Sequence, residues 1–372
     1  MSLTIETRPG NSALPKAGSR FPVIDCDIHP QFQTRDELAQ FLPKQWQEYA
    51  NTWGGFYRQA LADTLSHPRM APDVARNDSY PPKGPPGSDL AFMQEQHLDP
   101  NNVEYGMLMP LNRGPGNQRN LDFGAALAHA VNEWQIAYWT DRDKRLRASI
   151  VVAQDDPESA IAEIKLRAKD KNFLQIMLPP RTIEPLGRRR YWPIYQAAVD
   201  QNLPLVLHVS GINGYGSTAS GFPSWYIEEH HSNVQGMQNL ITSMVFEGVF
   251  ERFPDLRVVL VEGGVVWAQA LRWRLDKHWH HFRAELPHIK KAPSEYVSKH
   301  FWFTTQPLDE PERAEDLPAV FQDIGTDRIM FSTDYPHWDF DDPKFVVNKL
   351  GLKPDVAQQI FTGNAKALYN LR

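Results

Sequence analysis

The sequence has one cysteine, no excess of basic residues and no long apolar run. Cys26 cannot form an internal disulfide, which is typical of proteins in a reducing compartment. A formal net charge of -6 gives no basic surface for nucleic acid or an anionic membrane. No stretch reaches the ~18 apolar residues of a transmembrane helix, and the N-terminal residues show no apolar core of a signal peptide. We therefore expect a cytoplasmic protein without nucleic-acid or membrane partners.

Eight short apolar segments alternate with helical patterns along most of the 372 residues. This alternation predicts an α/β protein with a closed (β/α)8 TIM barrel rather than an open sheet. The predicted strands are 21–29, 103–110, 145–153, 172–180, 203–210, 256–264, 300–307 and 328–335. A flexible tail over residues 1–20 would precede a single domain over residues 21–372. A proline-rich loop region, residues 54–88, is inserted after the first strand and its helix.

Metal-capable side chains lie at the ends of three predicted strands. Asp27 and His29 end the first strand, where residues i and i+2 share a face. His208 ends the fifth strand and Asp334 the eighth, and the carboxyl ends of parallel barrel strands meet at one mouth. Any one such residue is more often structural, but four on one rim favour a metal centre. Two carboxylates and two imidazoles suit zinc, iron or manganese, and such a site lowers the pKa of bound water towards ~7.

Several longer motifs extend this pattern. They read IDCDIH at the first strand, PLVLH at the fifth, VFEGVFERFPDLRVVLVEGG into the sixth, then WRLD, and FSTDYPHWD at the eighth. In this order they resemble the amidohydrolase superfamily, in the branch of metal-dependent hydrolases and decarboxylases related to aminocarboxymuconate semialdehyde decarboxylase. The resemblance implies a divalent metal held by Asp27, His29, His208 and Asp334, with Asp334 also the general base. Zinc is the first expectation, with iron or manganese as alternatives.

Glu262 departs from the pattern of this branch. Decarboxylases of the branch usually carry a histidine there, so plain decarboxylation is disfavoured. Glu262 could instead bind a second metal together with His231, as in the small di-metal group with thioesterase and hydroxylase activities. His337, three residues after Asp334, is expected to orient Asp334 or to contact substrate. Asp334, Glu262 and His337 are therefore the predicted catalytic residues, around one or two metal ions.

The leading functional hypothesis is a metal-dependent hydrolase that attacks a small carboxylated or aromatic substrate with metal-activated water. Three alternatives stay open: a di-metal oxygenase or thioesterase, a decarboxylase, and a structural metal-binding subunit of a hetero-oligomer. Loop aromatics after the fifth strand would line the mouth; they are Tyr215, Phe222, Trp225 and Tyr226. We expect a homo-oligomer or an oligomer with a related chain.

Overall fold

A computed structural model describes residues 22–34, 36–53, 74–111, 115–209, 218–313 and 315–372. The predicted tail over residues 1–20, the first part of the proline-rich region at 54–73, and Tyr215 lie outside the described residues. Within those ranges, no helix is both long and apolar enough to cross a membrane.

Eight parallel strands pair in chain order to form a nearly closed barrel, which confirms the predicted (β/α)8 architecture. The strands are β1 (Val23–Ile28), β2 (Val103–Leu108), β3 (Leu146–Val151), β4 (Phe173–Leu178), β5 (Leu205–His208), β6 (Val258–Val261), β7 (Phe301–Thr304) and β8 (Ile329–Met330). All eight are shorter than predicted, because the predicted ranges include residues of the flanking loops. The clearest case is β8, which spans two residues, so Asp334 lies on the loop that follows it.

Helices occupy the segments between strands and cover the outside of the barrel. They are α1 (Asp36–Ala39), α2 (Lys44–Trp53), α3 (Leu90–Met93), α4 (Leu121–Gln135), α5 (Pro157–Arg167), α6 (Trp192–Asp200), α7 (Tyr226–His231), α8 (Asn233–Phe246), α9 (Val249–Arg252), α10 (Trp267–Phe282), α11 (Pro293–His300), α12 (Asp316–Ile324), α13 (Pro343–Lys349), α14 (Pro354–Gln358) and α15 (Asn364–Tyr369). A π-helical turn, Gln94–Leu98, follows α3 directly.

Strand alternation carries His208 to the mouth. On β5, Leu205 and Leu207 belong to the cluster that packs against the helices, whereas Val206 belongs to the cluster inside the barrel. His208 continues the inward series because side chains alternate between faces. Fully burying a Leu or Val side chain contributes about 1.5–3 kcal/mol, so a one-residue slip that reversed the faces of β5 would be costly. The apolar pattern of β5 thus fixes where His208 points.

A bulge interrupts β1 at its carboxyl end. Asp25 lies opposite Gly106 and Ile28 opposite Leu108, so three residue steps on β1 face two on β2. Cys26 is buried and belongs to the inner cluster with Ile24, so strict alternation would have turned Asp27 outwards. The bulge re-aims Asp27 towards the mouth, as bulges beside active sites often do. Asp27 and His29 do lie together at the mouth, as their i, i+2 spacing predicts, but the bulge rather than strict alternation directs Asp27 there.

The described end of the proline-rich region packs on the loop after β8. Ala75 pairs with His337 in an antiparallel bridge, and the Trp338 backbone N–H donates to the Val74 carbonyl at 3.0 Å. Arg76 likewise donates its backbone N–H to the Pro336 carbonyl at 3.0 Å. This segment therefore forms part of the wall beside the eighth strand.

Candidate metal centre

Five of the predicted ligands converge at the carboxyl end of the barrel. Asp27, His29, His208, Glu262 and Asp334 are all buried, and one ligand atom from each lies within 4.8 Å of all the others. They come from the ends of β1, β5, β6 and β8, which are distant in sequence. A closed parallel barrel brings these ends to one rim.

Hydrogen bonds orient both imidazoles towards the carboxylates. His29 Nδ1 lies 2.8 Å from the Met109 carbonyl, and His208 Nδ1 lies 2.7 Å from the Val209 carbonyl. Because a carbonyl only accepts, each Nδ1 carries the proton and donates it. In the neutral ring, Nε2 then presents a lone pair. This arrangement is usual for histidines that bind metals.

The free Nε2 atoms face carboxylate oxygens at short range. His29 Nε2 lies 2.7 Å from Asp334 Oδ1 and 3.1 Å from Asp27 Oδ1. His208 Nε2 lies 3.3 Å from Asp27 Oδ1 and 3.1 Å from Glu262 Oε2. Among the described residues, neither Nε2 nor either Asp27 oxygen has a hydrogen-bond partner of good geometry. Acceptors that converge in a buried space in this way fit a divalent cation bonded to them all.

The pKa values show how concentrated the negative charge is. Burial opposes ionisation of Asp27 and Asp334, but the positive charge of nearby imidazolium rings outweighs it and lowers the pKa of both carboxyl groups; a bound cation would supply this positive charge when the rings are neutral. Burial raises the pKa of Glu262 well above its ordinary value, and the carboxylates of Asp334, Asp339 and Asp27 raise it further. A buried cluster of like charges is unfavourable unless a positive charge compensates it. The side chains therefore favour a bound cation on electrostatic grounds as well.

Two of these carboxylates sit on strained backbone. Glu262 has φ 59° and Asp334 has φ 64°, both in the left-handed region that residues other than glycine rarely adopt. Such conformations cost about 1–3 kcal/mol each and cluster at functional sites. At Glu262 the strain has a visible effect: Val261 points into the barrel, so regular alternation would have turned Glu262 outwards. The left-handed turn keeps its carboxyl group at the mouth.

His337 and Gln306 hold Asp334 in place. His337 Nδ1 lies 2.7 Å from Asp334 Oδ1, and the His337 ring stacks on His29 with 4.3 Å between centroids. Gln306, fully buried, donates from Nε2 to Asp334 Oδ2 at 3.3 Å and to Asp339 Oδ2 at 2.9 Å. His337 thus makes the contact with Asp334 that its spacing suggested. Gln306 was missed because no strand-end rule marks an amide.

A second group of ligand atoms adjoins the first and shares Glu262 with it. His230, Glu262 and Asp339 also bring ligand atoms within 4.8 Å of one another, and His230 Nε2 lies 3.3 Å from Asp339 Oδ2. His231, the residue predicted for this role, does not join either group. It is exposed, and its charge acts on Asp309, where it lowers a pKa that burial raises. Adjacent residues on a helix differ by about 100° in direction, so His230 faces the centre and His231 does not.

Tyr226 places a hydroxyl group beside the same carboxylates. Its oxygen accepts from Trp338 Nε1 at 3.2 Å, and no described residue accepts its proton. Burial raises the pKa of Tyr226, and the carboxylates of Asp339 and Glu262 add to the shift. The phenol therefore keeps a proton that it can donate to a ligand. By contrast, Phe222 and Trp225 of the same loop are 62% and 71% exposed.

An eight-stranded parallel barrel with buried carboxylate and imidazole ligands at its mouth defines a metal-dependent barrel enzyme. The chain belongs to the amidohydrolase family, whose model, described as "Amidohydrolase", matches residues 24–371.

Relatives of known activity include several gamma-resorcylate decarboxylases and a 2-keto-4-carboxy-3-hexenedioate hydratase from Sphingobium sp., which is 24% identical over 233 residues, with 58% of this chain and 62% of the relative covered. The chain is 23% identical over 294 residues to a gamma-resorcylate decarboxylase from Polaromonas sp., with 76% of this chain and 88% of the relative covered. An amidohydrolase from Mycobacterium avium subsp. paratuberculosis has a similar fold, with TM-score 0.71, 20% identity and coverage of 95% and 100%. A dihydroxybenzoic acid decarboxylase from Polaromonas sp., solved with manganese and 2-nitroresorcinol, gives TM-score 0.65, 19% identity and coverage of 94% and 97%.

These comparisons alter two expectations from the sequence. The decarboxylase alternative is better supported than hydrolysis, which was the leading hypothesis. A divalent metal is supported, but the metal recorded in the decarboxylase structure is manganese, and nothing specifically favours zinc.

Proposed function

We propose that the protein is a divalent-metal-dependent decarboxylase of a small hydroxylated aromatic or unsaturated acid. The observation that carries the proposal is the buried centre, in which two histidine Nε2 lone pairs and two carboxylates converge at the barrel mouth. The gamma-resorcylate decarboxylases among the relatives support the reaction class. The expected small-molecule substrate follows from the position of the centre inside a barrel rim, where only a small group can enter.

Four residues would hold the cation: Asp27, His29, His208 and Asp334. When bound, a divalent ion supplies positive charge that polarises oxygen atoms of the substrate. The protein's own contribution is orientation. The carbonyls of Met109 and Val209 fix the two imidazole rings, and His337 fixes Asp334.

The reaction also needs one proton. When carbon dioxide leaves, the electron pair of the broken carbon–carbon bond remains on the substrate, and that carbon must be protonated. The carboxyl group of Glu262 faces the same space and has a raised pKa, so it can hold a proton for this step. As an anion, Glu262 would not replace the histidine that decarboxylases of this branch carry, but burial beside other carboxylates favours its protonated form. Tyr226 would donate its O–H to an anionic oxygen of the substrate.

A second function is favoured by one specific observation, the shared position of Glu262. Glu262 belongs both to the five-residue group and to the group with His230 and Asp339. A carboxylate with two oxygens can bridge two cations, and this ligand set suits iron or manganese. Glu262 would then be a ligand rather than an acid, and the protein would belong with the di-metal oxygenases or thioesterases.

Metal content and product analysis distinguish the two functions. Protein purified without added metal would be subjected to elemental analysis, then loaded with manganese and assayed for carbon dioxide release from a panel of hydroxybenzoic acids. We expect about one equivalent of tightly bound metal and release of carbon dioxide that chelation abolishes. Two equivalents of iron or manganese, with no carbon dioxide from any acid, would contradict the decarboxylase proposal and support the di-metal alternative.

A further inference from the structure

Asp25 is a buried carboxylate that lies next to the centre and belongs to neither group of ligand atoms. It is on β1, two residues before Asp27, and is fully buried. Its Oδ1 accepts the backbone N–H groups of Asp27 at 3.1 Å and Thr333 at 2.9 Å. Its Oδ2 accepts the Thr333 hydroxyl at 2.5 Å and lies 2.8 Å from His97 Nε2. Four donors occupy its two oxygens, so Asp25 has no lone pair left for a metal ion.

We propose that Asp25 is a positioning residue for the metal centre, one that fixes the separation between Asp27 and Asp334. This inference rests on the proposed role of those two residues as metal ligands. Asp27 and Asp334 lie on opposite sides of the join between β1 and β8, the first and last strands of the barrel. Asp25 hydrogen-bonds to the backbone of Asp27 on one side and to Thr333, the residue before Asp334, on the other.

On the β1 side, Asp25 satisfies a donor that the bulge removes from the strand ladder. The bulge between Asp25 and Ile28 turns Asp27 towards the mouth, and the Asp27 N–H donates to Asp25 Oδ1. A buried N–H without a partner would cost about 1–3 kcal/mol, so this bond stabilises the bulged conformation. The direction of the Asp27 side chain therefore depends on Asp25.

On the β8 side, Asp25 fixes the residue that leads into the strained turn. Thr333 gives Asp25 both its N–H and its O–H, and its Oγ1 in turn accepts the backbone N–H of Tyr335 at 3.2 Å. The residues on both sides of Asp334 are thereby held together. This helps to keep Asp334 at φ 64°, a conformation that would relax without support.

The outer layer of the barrel fixes Asp25 itself. Asn101 Nδ2 lies 3.1 Å from His97 Nδ1, which makes Nδ1 the acceptor and leaves the Nε2 proton for Asp25. The His97 ring stacks on Tyr335 with 4.7 Å between centroids and 6° between planes. His97 lies in the π-helical turn after α3, and such turns often mark functional positions.

The test is Asp25→Asn, measured as metal affinity. The amide matches the carboxylate in shape but places an NH2 group where an oxygen had accepted from two donors. We expect manganese affinity to fall about 10- to 100-fold, as is usual when a residue that supports a ligand is changed. The visible spectrum of the cobalt-loaded protein should also shift, because the ligand geometry changes. Isothermal titration in chelator-treated protein and the cobalt spectrum are the two measurements.

The matched control is Asp143→Asn. Asp143 is also buried and bonded, through Arg145 and Gln94, but it lies just before β3, at the opposite end of the barrel. A comparable loss of thermal stability with unchanged metal affinity is expected there. Should Asp25→Asn bind manganese as tightly as the unmodified protein, with the same cobalt spectrum, the positioning role is wrong.

A second pair of variants, at Thr333, tests the same role if Asp25→Asn does not fold. Thr333→Val removes one hydroxyl donor to Asp25, and Thr333→Ser restores it. Weaker metal binding in the valine variant with recovery in the serine variant supports the proposal, and equal affinity in all three proteins overturns it. If the unmodified protein itself binds no divalent metal, the metal centre fails and the role of Asp25 fails with it. If the protein binds metal tightly and substitutions at Asp25 and Thr333 do not change the affinity, the metal centre stands and only the positioning role of Asp25 is wrong.

Discussion

Replacing His208 with alanine tests the metal centre most directly, because His300 provides a matched control. Both histidines are buried, and both place Nδ1 on a backbone carbonyl, Val209 for His208 and Leu256 for His300. His300 lies before β7, at the end of the barrel away from the mouth. Only His208 presents Nε2 to carboxylates that could share a cation with it.

The expected magnitude follows from ligand linkage. With free manganese at 100 times its dissociation constant, binding to the folded state adds about 2.7 kcal/mol of stability. For a chain of this length the entropy of unfolding is ~0.75 kcal/mol/K, so the midpoint should rise by about 3–4 °C on loading. If His208→Ala weakens binding about 100-fold, the same metal concentration adds only ~0.4 kcal/mol, or roughly half a degree.

The control should separate lost binding from lost packing. We expect either alanine variant to destabilise the chelated protein by about 2–4 kcal/mol, through the cavity and the lost hydrogen bond. His300→Ala should keep the full rise in unfolding temperature on metal loading, and His208→Ala should lose it. Calorimetry at fixed free manganese and elemental analysis are the assays. If His208→Ala retains normal metal occupancy and the full rise, the assignment of His208 as a ligand is refuted.

Three further outcomes are expected. Replacing His230 with alanine should change the affinity for the first cation by no more than about threefold and should abolish binding of any second equivalent. His231→Ala should change neither the affinity nor the number of bound cations, and competitive titration with a chelator measures both quantities. In the chelated protein, the free energy of unfolding should fall as pH rises from about 4.5, because Glu262 keeps its proton in the folded protein, where its pKa is raised, and releases it in the unfolded chain. Urea unfolding at a series of pH values measures this, and Glu262→Gln should flatten the decrease. An unchanged slope in the variant would contradict the raised pKa of Glu262. Tyr226→Phe should lower kcat/KM about 10- to 100-fold with metal content unchanged, as expected for loss of one hydrogen bond to a charged group, and a normal value would exclude Tyr226 from substrate binding.

The barrel and the convergence of most candidate ligands could be predicted from the sequence because both depend on strand patterns. Apolar alternation on strands such as β5 fixes which face points inwards, and the parallel arrangement brings strand ends together. Asp27, His29, His208 and Asp334 could therefore be placed from position alone. Glu262 was noticed at a strand end, but its inward direction depends on a left-handed backbone that only the following Gly-Gly hints at.

The second group could not be placed in the same way. On α7, the adjacent residues His230 and His231 face the carboxylates and the solvent, respectively. Periodicity does not fix the residue at which a six-residue helix begins. That uncertainty is enough to interchange His230 and His231. Asp339 lies on an irregular loop, where neither a period of 2 nor one of 3.6 applies, so its direction depends on tertiary contacts such as that with Gln306.

The join between β1 and β8 has a consequence for how the protein opens. Two backbone hydrogen bonds cross it, from Cys26 to Phe331 and from His29 to Tyr335, whereas β4 pairs with β5 over three residue pairs and β5 with β6 over four, without a register shift. Amide protons there should exchange with deuterium sooner than those of β4 to β6, because local opening needs fewer bonds to break. A cation that bonds Asp27 and Asp334 would lock this edge shut, so loading should slow exchange at the join far more than elsewhere. The ion would then hold the first and last strands of the barrel together in addition to its role in the reaction.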